Sequence, residues 1–128
     1  MISENYFTDK SGIGVLSTAN DKGEVDAAIY SKPHVLGHNQ IAFIMRDRLT
    51  RQNLQSNPVA HYLFIEEGEK SKGIRLNLKM LHESQDEDRI NALSRRKTPF
   101  KGNKGERFLV TFTVIKSLQL IGGDEKPF

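Results

Sequence analysis

The stretch that decides the fold is Ile41–Phe64, IAFIMRDRLTRQNLQSNPVAHYLF. Its opening, QIAFIMR counted from residue 40, is an apolar run that reads as a strand. Asp47 and Arg48 make a tight polar connection. Residues 49 to 56 (LTRQNLQS) then read as a short helix, with Leu49 and Leu54 near one side and Thr50 as a capping hydroxyl. Asn57-Pro58 stops that helix, because the residue before a proline is driven out of helical geometry. Residues 59 to 66 (VAHYLFIE) follow as a strand that is apolar or aromatic almost throughout, which predicts a central place in its sheet.

The flanking sequence reads the same way. Upstream, IGVLSTA (13–19) runs into the turn Asn20-Asp21-Lys22-Gly23, and VDAAIYS (25–31) pairs back as a hairpin. Pro33 ends that strand, and a linker through Gly37, His38 and Asn39 leads to residue 40. Downstream of the charged loop 66–73, IRLNLKMLH (74–82) alternates cleanly: Ile74, Leu76, Leu78, Met80 and His82 share one face. QDEDRINALSR (85–95) reads as a helix with acids first and bases last, capped by Ser84 with Glu87 three residues on. Residues 107 to 121 supply one long bent strand or two short ones, and the tails 1–8 and 122–128 are read as loose. The order is β-β-β-α-β-β-α-β within one domain spanning 1–128. Two short helices cannot cover both faces of a parallel sheet, so the expectation is a mainly β fold, a closed or split antiparallel barrel.

Composition narrows the function classes. The chain has 128 residues, 37% of them hydrophobic and 27% charged, enough for a modest core. With no cysteine, disulfides, thiolate metal sites and cysteine nucleophiles are excluded. The polar opening MISENYFTDK supplies no leader, and no run is long enough to span a bilayer, so a cytoplasmic location without membrane partners is expected. The net charge of +3 invites a nucleic-acid reading, but acids and bases interleave through most of the chain. Positive charge gathers in two places: Arg46, Arg48 and Arg51, and the run Arg95, Arg96, Lys97, Lys101, Lys104 and Arg107. The second has only Phe100 among its cations as a stacking platform, so nucleic acid is not the expected partner.

The strand–helix junction carries the chemistry. Free backbone N–H groups at a helix start hold about half a unit of positive charge. Guanidinium forks and a hydroxyl added to them make a receptor for a phosphate monoester. The competing reading is that these arginines pair with Asp47 or neighbouring carboxylates. His34 and His38 are four apart, but Pro33 and Gly37 argue against the helix that would make them joint metal ligands, and His61 and His82 join no carboxylate pattern. There is no GxSxG elbow, and Gly12-Ile13-Gly14 lacks the third glycine of a dinucleotide fingerprint. Asp86, Asp88, Glu66 and Glu67 read as a helix start and a loop. Tyr30, Tyr62 and Phe64 are equally readable as core or as stacking surfaces. No general acid or base stands out, so any reaction must be carried by a cofactor.

Taken together, GVLSTANDKGEVDAAIY, the 41–64 stretch and GIRLNLKML resemble the pyridoxamine 5′-phosphate oxidase-like family of FMN-binding split barrels, over about Gly14 to Leu120. The resemblance implies an antiparallel Greek-key split barrel that binds FMN between two copies of a homodimer. It implies phosphate roles for Arg46, Thr50 and Arg51, with Arg48 beside them, and a flavin ring lying along Ala28, Ile29, Tyr30 and Ser31 through backbone groups. The activity it implies is flavin-dependent oxidoreduction of a small molecule. A flavin carrier without catalysis, or the same barrel holding a deazaflavin or haem, is the alternative. Many relatives have lysine where this chain has Thr50 and Arg51, and the C-terminal LIGGDEKPF lacks the extended substrate-binding segment of the vitamin-B6 oxidases. A substrate other than pyridoxamine phosphate is therefore expected.

Overall fold

Described residues of the computed structural model are 5–68, 71–94 and 106–123. They form seven strands and two helices in the order β1 (Gly12–Ala19), β2 (Val25–Ile29), β3 (His34–Gly37), β4 (Gln40–Arg46), α1 (Leu49–Ser56), β5 (Val59–Glu66), β6 (Gly73–Ser84), α2 (Glu87–Leu93) and β7 (Arg107–Gln119). The strands make one antiparallel sheet in the order β2-β1-β5-β6-β7-β4-β3. Three consecutive strands, β5, β6 and β7, form a meander, and β4 returns to lie beside β7, which is the Greek-key arrangement.

Topology alone forces this sheet to curl. β2 and β3 are consecutive in the chain yet occupy opposite edges of the sheet. Laid flat, seven strands would hold those edges about 29 Å apart at the usual strand spacing of about 4.8 Å. The five backbone steps from Ile29 to His34 reach at most about 17 Å. The edges must therefore swing toward one another, leaving a slit between them. The result is a split barrel.

Alternation fills its inside. Leu16 of β1, Phe43 of β4, Tyr62 and Phe64 of β5, Leu76 of β6 and Phe112 of β7 are all buried in one cluster. Phe43 and Tyr62 pack with ring centres 4.9 Å apart. A smaller cluster of Ala42, Leu109 and Ile90 seats α2 on the outside of β4 and β7. The strand 74–82 keeps its expected faces until register shifts near Asn77/Leu78 and Met80/His82 bend it. Among the described residues, no helix is long and apolar enough to cross a membrane.

Several expectations need correction. His34–Gly37 is a strand rather than a linker, because antiparallel pairing with β4 (His34 to Ala42, Val35 to Ile41) satisfies its backbone. β2 stops at Ile29, two residues early; of the two alternatives for the last stretch, the single long strand holds, with β7 running 13 residues. Helix α2 starts at Glu87, capped by Asp86, whose side chain accepts the Arg89 N–H; Ser84 instead receives the Asp86 N–H. Residues 5–8 are not a loose tail. Phe7 is buried against Phe64 with ring centres 5.3 Å apart, and Tyr6 donates to Glu66 at 2.6 Å. The basic run Arg95–Lys104 lies outside the described residues.

Gly14 is the tightest point of the wall. Its backbone carbonyl accepts the Tyr30 N–H at 3.0 Å. A Cβ there would fall 1.9 Å from the Tyr62 hydroxyl and 2.4 Å from the Tyr30 carbonyl oxygen. That hydroxyl donates to the carbonyls of Tyr30 and Ser31 at 3.1 and 3.2 Å, so it has nowhere to retreat without losing bonds. Gly14→Ala is expected to destabilise the fold by about 2–3 kcal/mol, read as a lowered urea midpoint at unchanged slope.

Candidate functional site

The slit between the edges holds the site, and β4 leads into it. β4 ends at Arg46, a tight turn closes with the Arg48 N–H on the Arg46 carbonyl at 2.9 Å, and α1 begins at Leu49. Arg48 occupies the N-cap position, where a serine or aspartate would normally accept a helix N–H. Its side chain makes no cap bond, and no acidic residue lies in the first turn. The start of α1 is thus left with uncapped donors and their positive potential.

Thr50, one residue into the helix, is buried and lines the cleft together with Tyr30. Burial holds the Tyr30 phenol's pKa above the ordinary value of 10.0; the nearby Thr50 hydroxyl and the Arg48 charge pull against the shift, and Asp26 adds slightly to it. The Tyr30 ring stands edge-on to Phe43, with centres 5.7 Å apart.

Two adjoining cavities, about 450 and 370 Å³, make up the cleft and share Tyr30, Ile44, Arg46 and Arg48. The smaller one extends past Asp26, Ala28, Ile29, Leu49 and Thr50, alongside the helix start. The larger one extends past Ser31, Lys32, His34, Phe43, Ser94 and Arg107. The sheet register sets Arg46 directly opposite Arg107. Like charges so placed oppose pairing unless something negative intervenes. Part of that compensation comes from Glu87 of α2, which pairs with Arg107 at 2.5 Å while Asn91 accepts from it at 2.7 Å. Among the described residues no carboxylate pairs with Arg48, which is exposed at the cleft mouth.

The structure brings together Ala28, Ile29, Tyr30, Ser31, Arg46, Arg48 and Thr50 around this cleft. Arg51 is employed elsewhere. Its Nε and Nη2 donate to the two oxygens of Glu83 at 3.0 and 2.7 Å, its Nη1 donates to Asp47 at 3.1 Å, and it lies 3.7 Å over the Phe108 ring. Of the two readings of the junction arginines, carboxylate pairing holds for this one. Sequence reasoning missed Lys32 and Ser94 as cleft residues, since neither belongs to a motif; His34, weighed as a metal ligand, and Arg107, part of the second basic cluster, reach the cleft through the pairing of β3 and β7 with β4. Lys32 also ties down the N-terminal segment, donating to the Phe7 and Lys10 carbonyls at 2.9 and 2.7 Å. His61 is remote, on the outer face of β5, bonded through Nδ1 to Asn77 at 2.8 Å.

That outer face is a second feature. Cross-strand partners there are Ile13 with Ile65, and Val15 with both Ile29 and Leu63, while Val25 pairs with Ala19. Val25, Ile29, Ile13 and Val59 are 82, 73, 58 and 56% exposed, an apolar sheet face beside an open groove of about 630 Å³.

No family model matches the sequence, and no curated protein does either. Solved structures do match. An FMN-binding protein from Syntrophomonas wolfei subsp. wolfei superposes with a TM-score of 0.77 at 18% identity, covering 96% of this chain and 86% of that one. A protein from Clostridium acetobutylicum related to general stress protein 26 of B. subtilis, of the pyridoxinephosphate oxidase family, gives 0.67 at 14% identity, covering 95% and 89%. An F420 reductase gives 0.65 at 14% identity, covering 89% and 94%. The chain thus shares the split-barrel fold of these FMN-binding and oxidase-like proteins.

The raised Tyr30 phenol has a measurable consequence. The folded chain holds that proton more tightly than the unfolded one, so the contribution to stability is complete below pH 10 and is lost as pH rises toward the raised value. Urea titrations above pH 10 should show stability falling more steeply in the wild type than in Tyr30→Phe.

Proposed function

We propose that this split-barrel chain binds FMN in the cleft and acts as a flavin-dependent oxidoreductase on a small molecule, as a cytoplasmic homodimer. What supports the reading most is one juxtaposition: uncapped helix donors, Thr50 and two arginines at one end of a cleft whose wall is the end of β2. In this reading Arg46, Arg48, Thr50 and the first N–H groups of α1 hold the phosphate. The ring lies along Ala28–Ser31, with Phe43 and Ile44 excluding water from its inner side. FMN would supply the hydride or electron transfer for which the chain has no residues of its own. A second copy, docking through the Val25–Ile13–Val59 face, would cover the flavin beside Ile29.

The test is a visible absorption spectrum after mixing with FMN and removing the excess by gel filtration, with riboflavin run in parallel. FMN should be retained in preference to riboflavin. Arg48→Ala should weaken FMN binding about ten- to hundredfold, as expected for a lost charge-assisted bond, and leave riboflavin unchanged. Retention of neither flavin overturns the reading. Reduction of the bound flavin by a nicotinamide cofactor separates an oxidoreductase from a carrier. For the dimer, Val25→Asp is expected to shift the sedimentation profile from two copies to one while far-UV circular dichroism stays the same.

A further inference from the structure

Helix α1 has only eight residues, too few to hold its own geometry in water. It is set by what grips it. On the barrel side Leu54 enters the core, and the buried Asn53 amide donates to the Thr18 hydroxyl of β1 at 3.1 Å. These grips act on the C-terminal half. The N-terminal half is gripped from β6: Glu83 accepts from Nε and Nη2 of Arg51 in a fork, with a longer contact of 3.4 Å from Gln55 near the far end of the helix. Asp47, on the turn before the helix, closes the guanidinium from the other side. The Phe108 ring lies beneath it.

We propose that Glu83 is a positioning residue for the phosphate site: acting through Arg51, it fixes the start of α1 so that the Thr50 hydroxyl and the helix N–H groups meet the anion beside Arg46 and Arg48. This rests on the FMN reading. Geometry decides between this role and an electrostatic one. One guanidinium faces two carboxylates, so the cluster carries excess negative charge, and as a source of field it would repel a phosphate. Three of the five guanidinium N–H groups are already used by Glu83 and Asp47. If Arg51 were itself the phosphate ligand, removing the Glu83 charge would release it and tighten binding. If it is a support, the same change loosens the helix start and weakens binding. The two roles have opposite signs.

The experiment compares wild type, Glu83→Gln and Arg51→Lys by fluorescence titration with FMN and with riboflavin, and by hydrogen exchange at two amides. Gln52 makes the first bond of α1 to the Arg48 carbonyl, and Asn57 makes the last to Asn53, both at 2.9 Å. Glu83→Gln is expected to weaken FMN binding about tenfold, the scale of one lost well-placed interaction, with riboflavin binding unchanged. Arg51→Lys, which keeps the charge but loses the fork, should do the same. Exchange at Gln52 should quicken while Asn57 stays protected, a pattern that general destabilisation would not give. Unchanged or tighter FMN binding in Glu83→Gln overturns the proposal and leaves the FMN reading standing. If the wild type shows no preference for FMN over riboflavin, the phosphate reading falls. The proposal then falls with it, whatever the exchange at Gln52.

Discussion

The link of four residues between β2 and β3 is the constraint from which the rest follows. It joins two strands at opposite edges of one sheet, and it is too short to do so unless the sheet closes on itself. Its path is held from below by the Tyr62 hydroxyl, which binds two successive carbonyls of the link, at Tyr30 and Ser31. Lys32, the next residue, binds the N-terminal segment. A barrel closed by a covalent link rather than by a hydrogen-bonded seam keeps a gap where the seam would be. Edge strands usually need protection from pairing with other chains. Here the gap between them becomes a cleft with backbone groups along one wall, a suitable bed for a planar ligand.

Charge gives that cleft its character. Exposed ion pairs contribute little, typically below about 1 kcal/mol, because water and salt screen them. The cations here differ in being gathered by the fold: the β4–β7 register sets Arg46 against Arg107, and Arg48 stands at an uncapped helix start. Glu87 answers part of this from a half-exposed position. An anion of two charges at the cleft would answer more of it, from within partly buried surroundings where screening is weaker. A hydroxyl from Thr50, a buried residue lining the same cleft as Tyr30, would add direction that charge alone lacks.

Much of this was legible in the sequence, and the reasons are local. Asn57-Pro58 and the apolar runs on either side mark α1 and β5 to the residue, since turn chemistry and periodicity agree there. β3 was hidden because a strand of four residues that follows Pro33 and ends in a glycine with φ of 151° has no period to read. Phe7 was hidden because a single aromatic in a polar segment carries no pattern, and only its packing on Tyr62 and Phe64 shows where it belongs. The cleft side of the junction was readable from Arg46, Arg48 and Thr50. The role of Arg51 was not: its partner Glu83 lies 32 residues away, and only the bend in β6 brings the two together.

Three consecutive residues show how a short helix serves several demands at once. Successive side chains on a helix point about 100° apart, so Leu49, Thr50 and Arg51 look in three directions. Leu49 is half-exposed at the mouth of the cleft, Thr50 is buried against Tyr30, and Arg51 reaches across Phe108 to Glu83. A helix this short gains little from its own backbone and takes its position from such contacts. In the proposed site, an arginine that answers two carboxylates is then not a cation wasted beside an anion. Held in place, it would let the hydroxyl and amide donors one residue earlier keep a fixed direction, and direction is what separates binding a phosphate from merely attracting one.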